Sequence, residues 1–102
     1  MLSIQNFIDG EYLDPASGRW LDKTDPATGR VVARVPDSDG RDVDRAVAAA
    51  ARAFPGWSRT PVAERSRLLL AVAAGIEGRL EELARAESID TGKPLRLARA
   101  VD

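Results

Sequence analysis

From Thr60 to Pro94 the chain reads TPVAERSRLLLAVAAGIEGRLEELARAESIDTGKP, and this stretch limits the possible folds more than any other. Val62, Leu69, Val72, Ala73, Ile76, Leu80 and Leu83 recur at three- and four-residue steps, so they line one face of a helix. Leu68 and Leu70 flank that stripe, which predicts burial of the first half on more than one side. Thr60 is placed to cap the start, its hydroxyl accepting a bond from a backbone N–H of the first turn. Pro61 then falls at the first helical position, where a missing N–H costs nothing. Gly78 marks a point where the helix can break or bend. Thr91-Gly92-Lys93-Pro94 stops it, with Gly92 free to take a left-handed cap and Pro94 unable to continue.

The chain before this stretch alternates short β-forming runs with turns. Phe7 to Leu13 reads as a tight hairpin, because Asp9-Gly10 between β-formers suits a type I′ turn, in which both central residues have positive φ. Asp14 to Gly18 is a second turn and Asp25 to Gly29 a third. Arg19 to Thr24 and Arg30 to Val35 are strands. In the second, Val31, Ala33 and Val35 share one face and Val32 and Arg34 the other. Pro36 ends it. A helix then opens at Asp37-Ser38-Asp39-Gly40, with Ser38 or Asp39 as its cap and Asp42 and Asp44 near its positive end. Val43, Ala46, Val47, Ala50 and Phe54 form its apolar stripe, and Pro55-Gly56 is expected to break it. After Gly92, Pro94 can start a further helix, Leu95 to Asp102. That helix ends on an acidic residue with no terminator, so the sequence is expected to be cut rather than finished. The expected order is four short strands, then three or four helices: an α+β chain whose helix stripes need a partner layer.

At 102 residues there is room for one small domain. The net charge of -1 gives no basic excess to attract nucleic acid or an anionic membrane. The absence of Cys and His removes disulfides, Cys/His zinc sites, thiolate nucleophiles, Ser-His triads and imidazole acid–base chemistry. The N-terminus lacks the charged-then-apolar pattern of a signal peptide, and the longest apolar run, Leu68 to Ala74, is too short to span a bilayer. A soluble, cytoplasmic location is the expectation.

Four groups of residues are candidates for chemistry, and each has a plainer role. Thr91-Gly92-Lys93 looks like the end of a phosphate-binding loop. Such a loop needs glycine where Glu87 stands and Ser or Thr where Pro94 stands, so a helix stop is the better reading. Glu87 and Asp90 have the chemistry for acid–base work, but no nucleophile or metal cluster accompanies them. Asp9, Asp14, Asp22 and Asp25 offer oxygen ligands for a cation, yet lack EF-hand spacing and sit where turns favour Asp anyway. Trp20, Phe54 and Trp57 suit a ligand-facing cluster, although large aromatics in small domains are usually core or interface anchors. Arg59, Arg65 and Arg67, with Glu64, read as a solvated helix face. Composition and spacing therefore assign no catalytic, cofactor-binding or metal-binding residue.

Taken in order, NFIDGEYL, DPATGRVVARVP, DVDRAVAAARAFPGWS and ERSRLLLAVAAGIEGRLEELARAESIDTGKPL resemble the opening of the aldehyde dehydrogenase superfamily. The run closes on Glu87-x-x-Asp90-x-Gly92-Lys93-Pro94 and covers nearly the whole chain. Phe54-Pro55-Gly56-Trp57-Ser58, Glu64-Arg65-Ser66-Arg67 and the stretch from Ala86-Glu87-Ser88 to Val101-Asp102 look most like the branch that oxidises 2-amino- or 2-hydroxymuconic semialdehyde. The resemblance implies NAD(P)-dependent oxidation of an aldehyde to an acid. In that chemistry a Cys attacks the carbonyl, backbone and Asn donors hold the oxyanion, hydride passes to nicotinamide, and a Glu activates water. No position here corresponds to those groups.

The resemblance further implies that residues 1–102 are the N-terminal portion of a cofactor-binding domain, with strands and turns in 1–36 and helices in 37–102. This portion would not bind NAD or NADP alone. Its partners would be the remainder of the dehydrogenase chain, a small aldehyde and, in a homo-oligomer, other subunits. Some family members bind a monovalent cation near the position of Thr24-Asp25-Pro26. The carboxylate completing that site would map at or just beyond Asp102, so no ligand is assigned. The competing expectation is a free-standing, non-enzymatic α+β module that binds a partner through its helix stripes.

Overall fold

The structure, a computed structural model, describes residues 1–101. The expected acidic end of the last helix, Asp102, lies outside the described residues. Five strands precede four helices: β1 (Leu2–Ser3), β2 (Asn6–Ile8), β3 (Glu11–Leu13), β4 (Trp20–Thr24), β5 (Val31–Pro36), α1 (Gly40–Trp57), α2 (Val62–Gly78), α3 (Leu80–Thr91) and α4 (Leu95–Val101). The chain divides into two compact units. One comprises Met1–Thr24 with Val31–Arg59, and the other Asp25–Arg30 with the chain from Thr60 onward.

In the first unit, β5 is the central strand of a three-stranded sheet, antiparallel to β4 and parallel to β1. Its Ala33 is buried. β1 escapes sequence reading because it is only two residues long, too short to show alternation. Pairing alone defines it: Leu2 lies opposite Ala33 and Ser3 opposite Arg34. β2 and β3 form the expected hairpin, with Asp9 at φ 53° and Gly10 at φ 79°, the two positive angles of a type I′ turn.

α1 departs from expectation at its end. It runs through Pro55-Gly56 to Trp57 rather than stopping before them. Pro55 lacks the N–H that would bond the Ala51 carbonyl, so its disturbance falls on the turn before it, and the two residues after it keep helical geometry. The Ser58 N–H then bonds the Phe54 carbonyl at 2.8 Å, and its hydroxyl bonds the Pro55 carbonyl at 3.0 Å, closing the last turn.

In the second unit the long periodic stretch is two helices, not one. The break falls at Arg79 (φ −118°, ψ 22°), one residue past Gly78. The start of α2 also differs from expectation. Thr60 does not cap it; Pro61 occupies the cap position, without a side-chain bond. The Pro61 carbonyl instead accepts from the Glu64 and Arg65 N–H groups, both at 3.1 Å. Proline at φ −57° and ψ 146° is already in the extended geometry that a cap residue requires, which moves the helix start one residue on.

α3 packs against α4, and each helix buries one alanine, Ala84 and Ala98. Arg99 adds a bidentate pair to Glu81, at 2.6 and 2.8 Å. The expected burial of α2 on several sides is not found: none of its residues is buried, and Leu69 is 71% and Leu70 68% exposed. No helix among the described residues is long and apolar enough to cross a membrane.

Candidate functional site

The end of α3 is where the sequence most resembles a phosphate-binding loop, and its geometry is that of a helix stop. Gly92 takes the left-handed conformation (φ 78°, ψ 5°), and its N–H donates to the Ser88 carbonyl at 2.9 Å. The Lys93 N–H donates to Thr91 Oγ1, and the Ser88 hydroxyl donates to the Lys93 carbonyl at 2.7 Å. The two N–H groups that would face a phosphate are thus turned back into the protein. A Cβ on Gly92 would lie 3.1 Å from Pro26 Cγ, so the space beside it is already taken by the Asp25–Arg30 turn. Glu87 lies 3.7 Å from the Lys93 ammonium, an ion pair bracketing the same stop.

The starts of α1, α2 and α3 are no better suited to an anion. At α1, the Asp39 carboxylate accepts from the Arg41 N–H at 2.9 Å, while the Asp42 carboxylate reaches back to the Asp39 N–H at 3.0 Å. This reciprocal capping box fills the helix terminus with the chain's own carboxylates. Asp42 is 8% exposed, and its other oxygen accepts from the Ala16 N–H at 2.9 Å. It therefore ties the Asp14–Gly18 turn to the first turn of α1. Sequence reading took Asp42 only as a negative charge near the helix dipole. The Asp39-x-x-Asp42 spacing was the available signal for its further role. α2 and α3 carry Glu64, and Glu81 with Glu82, in their first turns. Acidic groups at these starts disfavour a phosphate there.

The four candidate aspartates do not converge. Asp9 pairs with Arg52 at 3.7 Å, Asp14 accepts from the Gln5 amide at 2.7 Å, and Asp25 accepts from the Ala27 N–H at 2.8 Å. Asp22 stands opposite Arg34 in the β4–β5 ladder. Among the described residues no three acidic groups are close enough to hold a metal ion together.

The candidate cluster of Trp20, Phe54 and Trp57, for which a core or interface role is the plainer reading, shows no ring–ring contact among the described residues. The Arg34 guanidinium lies 4.1 Å from the Trp20 ring centre, a cation–π contact on the sheet. Phe54 and Trp57 are exposed on the last turns of α1 rather than serving as core anchors. The ring pair that does form is Phe7 with Tyr12, centres 4.9 Å apart. It follows from the two-residue turn, which places these residues directly opposite one another.

Several carboxyls are held below their ordinary range, each chiefly by a hydrogen-bonded guanidinium. Arg41 does this to Asp39, Arg67 to Glu64, Arg99 to Glu81, and Arg79 to Glu82. A carboxylate held down in this way is a persistent anion, suited to pairing rather than to taking a proton near neutrality. Arg67 pairs with Glu64 on α2, where Arg65 is also exposed, as the sequence predicts; Arg59 is exposed but lies before that helix. A shallow, open depression of about 250 Å³ lies between β2 and α1, bordered by Phe7, Ile8, Val43 and Ala46. Asn6, Ser38 and Asp42 also line it, already paired: the Asn6 amide donates to the Ser38 hydroxyl oxygen at 2.8 Å, and the Asp42 carboxylate accepts from the Ala16 and Asp39 N–H groups.

Comparison with known proteins identifies the family. The family model described as "Aldehyde dehydrogenase family" matches residues 12–102. The chain belongs to the aldehyde dehydrogenase family. The 2-aminomuconic semialdehyde dehydrogenase of Homo sapiens is 49% identical over 102 residues, covering 100% of this chain and 20% of that one. Acetaldehyde dehydrogenase 2 of Cupriavidus necator is 45% identical over 98 residues, 96% of this chain and 19% of the relative.

The solved structure of PnpE in complex with nicotinamide adenine dinucleotide superposes with a TM-score of 0.93 at 46% identity, over 95% of this chain and 20% of the other. The α+β arrangement of short strands followed by helices is thus an N-terminal part of the aldehyde dehydrogenase fold. The muconic semialdehyde branch is one of several that this stretch matches closely. The chain spans about a fifth of the length of the curated relatives it matches.

Proposed function

We propose that these residues are the opening segment of an NAD(P)-dependent aldehyde dehydrogenase that oxidises a muconic semialdehyde to the acid. In this reading the segment is a cytoplasmic scaffold that contributes no catalytic group. Its helices form part of the cofactor-binding domain and pack against the remainder of the dehydrogenase chain, with further contacts to other subunits of a homo-oligomer.

The observation that carries this reading is α2. Leu68, Leu69, Leu70, Val72 and Ile76 spread apolar surface round much of its circumference, yet none of its residues is buried. A helix apolar on several sides belongs inside a larger body. The relatives, about five times as long, supply such a body. The human relative's name supports the substrate class. The inventory agrees with the absence of chemistry: there is no Cys to attack a carbonyl and no His to activate a substitute hydroxyl.

Two experiments test the reading. Residues 1–102, purified and mixed with NAD and 2-hydroxymuconic semialdehyde, should give no reduced nicotinamide above blank, and should self-associate or melt without cooperativity. A monodisperse monomer with a sharp melt overturns the scaffold reading and favours a free-standing module. Sequencing the source transcript past the codon for Asp102 is the second. A continuation holding a glycine-rich segment and then a cysteine supports the dehydrogenase, whereas an in-frame stop overturns it.

A further inference from the structure

We draw no further inference here: the strongest candidate, the exposed apolar face of Leu69, Val72 and Ile76 on α2, is the surface already assigned to the remainder of the dehydrogenase chain, and nothing in the structure shows a second occupant.

Discussion

α1 and α2 are nearly equal in length, 18 and 17 residues, but are held by different means. α1 keeps its apolar residues to one stripe, and its sole buried residue is a carboxylate, Asp42. Together Asp39 and Asp42 accept from the Ala16, Asp39 and Arg41 N–H groups. α2 has no side-chain cap, no buried residue, and apolar side chains facing several directions. The difference shows what each kind of group can specify. Hydrogen bonds are directional, so they fix where a helix begins and what it touches. Apolar burial is not directional, so it states only that a cover is needed. α1 thus carries its own address, while α2 carries a requirement that these residues do not meet.

The largest expected effect comes from removing that address. Asp42→Ala leaves the Ala16 and Asp39 N–H groups without their acceptor in a mostly buried position, at a cost of about 3 kcal/mol. Amide hydrogen exchange should show protection lost at Ala16 and in the first turn of α1. Unchanged exchange at Ala16 would mean that the carboxylate is dispensable, and that α1 is no better anchored than α2.

Next in size is the far end of the α2–α3 run, where backbone conformation does the work that carboxylates do in α1. Gly92→Val forces a β-branched residue to positive φ and drives its Cβ toward Pro26, with an expected cost of about 2 kcal/mol. Gly92→Ala should cost roughly 1 kcal/mol, because it meets the same contact without the branch. The readout is exchange of the Gly92 N–H, which is bonded to the Ser88 carbonyl. Equal effects from Ala and Val would indicate that the branch adds nothing.

A smaller effect is expected at Asp39. Its replacement by Ala should lower protection in the first turn of α1 roughly fivefold, while the Asp42 reach-back remains. Acid should reproduce this loss. Arg41 holds the Asp39 carboxyl below its ordinary range, so the cap is fully present above about pH 4, the unfolded value. It should fade as pH falls through the lower folded value. Loss of first-turn protection already between pH 6 and pH 5 would contradict this assignment.

Much of the fold was readable because short-range chemistry decided it. Asp9-Gly10 dictated the hairpin, Asp39 the start of α1, and Gly92 the end of α3. Besides the Thr60 cap, three features escaped local reasoning. β1 has no pattern of its own and exists only by pairing with β5. Pro55-Gly56 looked like a stop, but the helix had only Trp57 left to run. Leu68 and Leu70 were expected to be covered because apolar patterning reports a need, not its fulfilment. The candidate site fared differently. Thr91-Gly92-Lys93 and Asp25 found local partners, as their stop and turn chemistry implies, whereas Asp9 pairs with Arg52, Asp14 with Gln5, and Asp22 stands opposite Arg34. No long-range convergence was written into their spacing.

The smallest effect is the sharpest check on the comparison, because it is expected to be nearly nothing. The hydroxyl of Thr60 makes no capping bond to α2, so Thr60→Ala should change stability by less than about 0.5 kcal/mol. Pro61→Ser is the positive counterpart. It places a hydroxyl at the cap position, three residues before Glu64, the spacing of a capping box. The gain of about 1 kcal/mol from a new cap is offset by losing proline's rigidity at a φ of −57° that already suits it. Global stability should therefore hardly move, while the Glu64 N–H, now bonded to the Pro61 carbonyl, gains a second acceptor and exchanges more slowly. If Thr60→Ala instead exposes the first turn of α2 several-fold, that helix has a side-chain anchor after all. The contrast with α1 would then be one of degree rather than of kind.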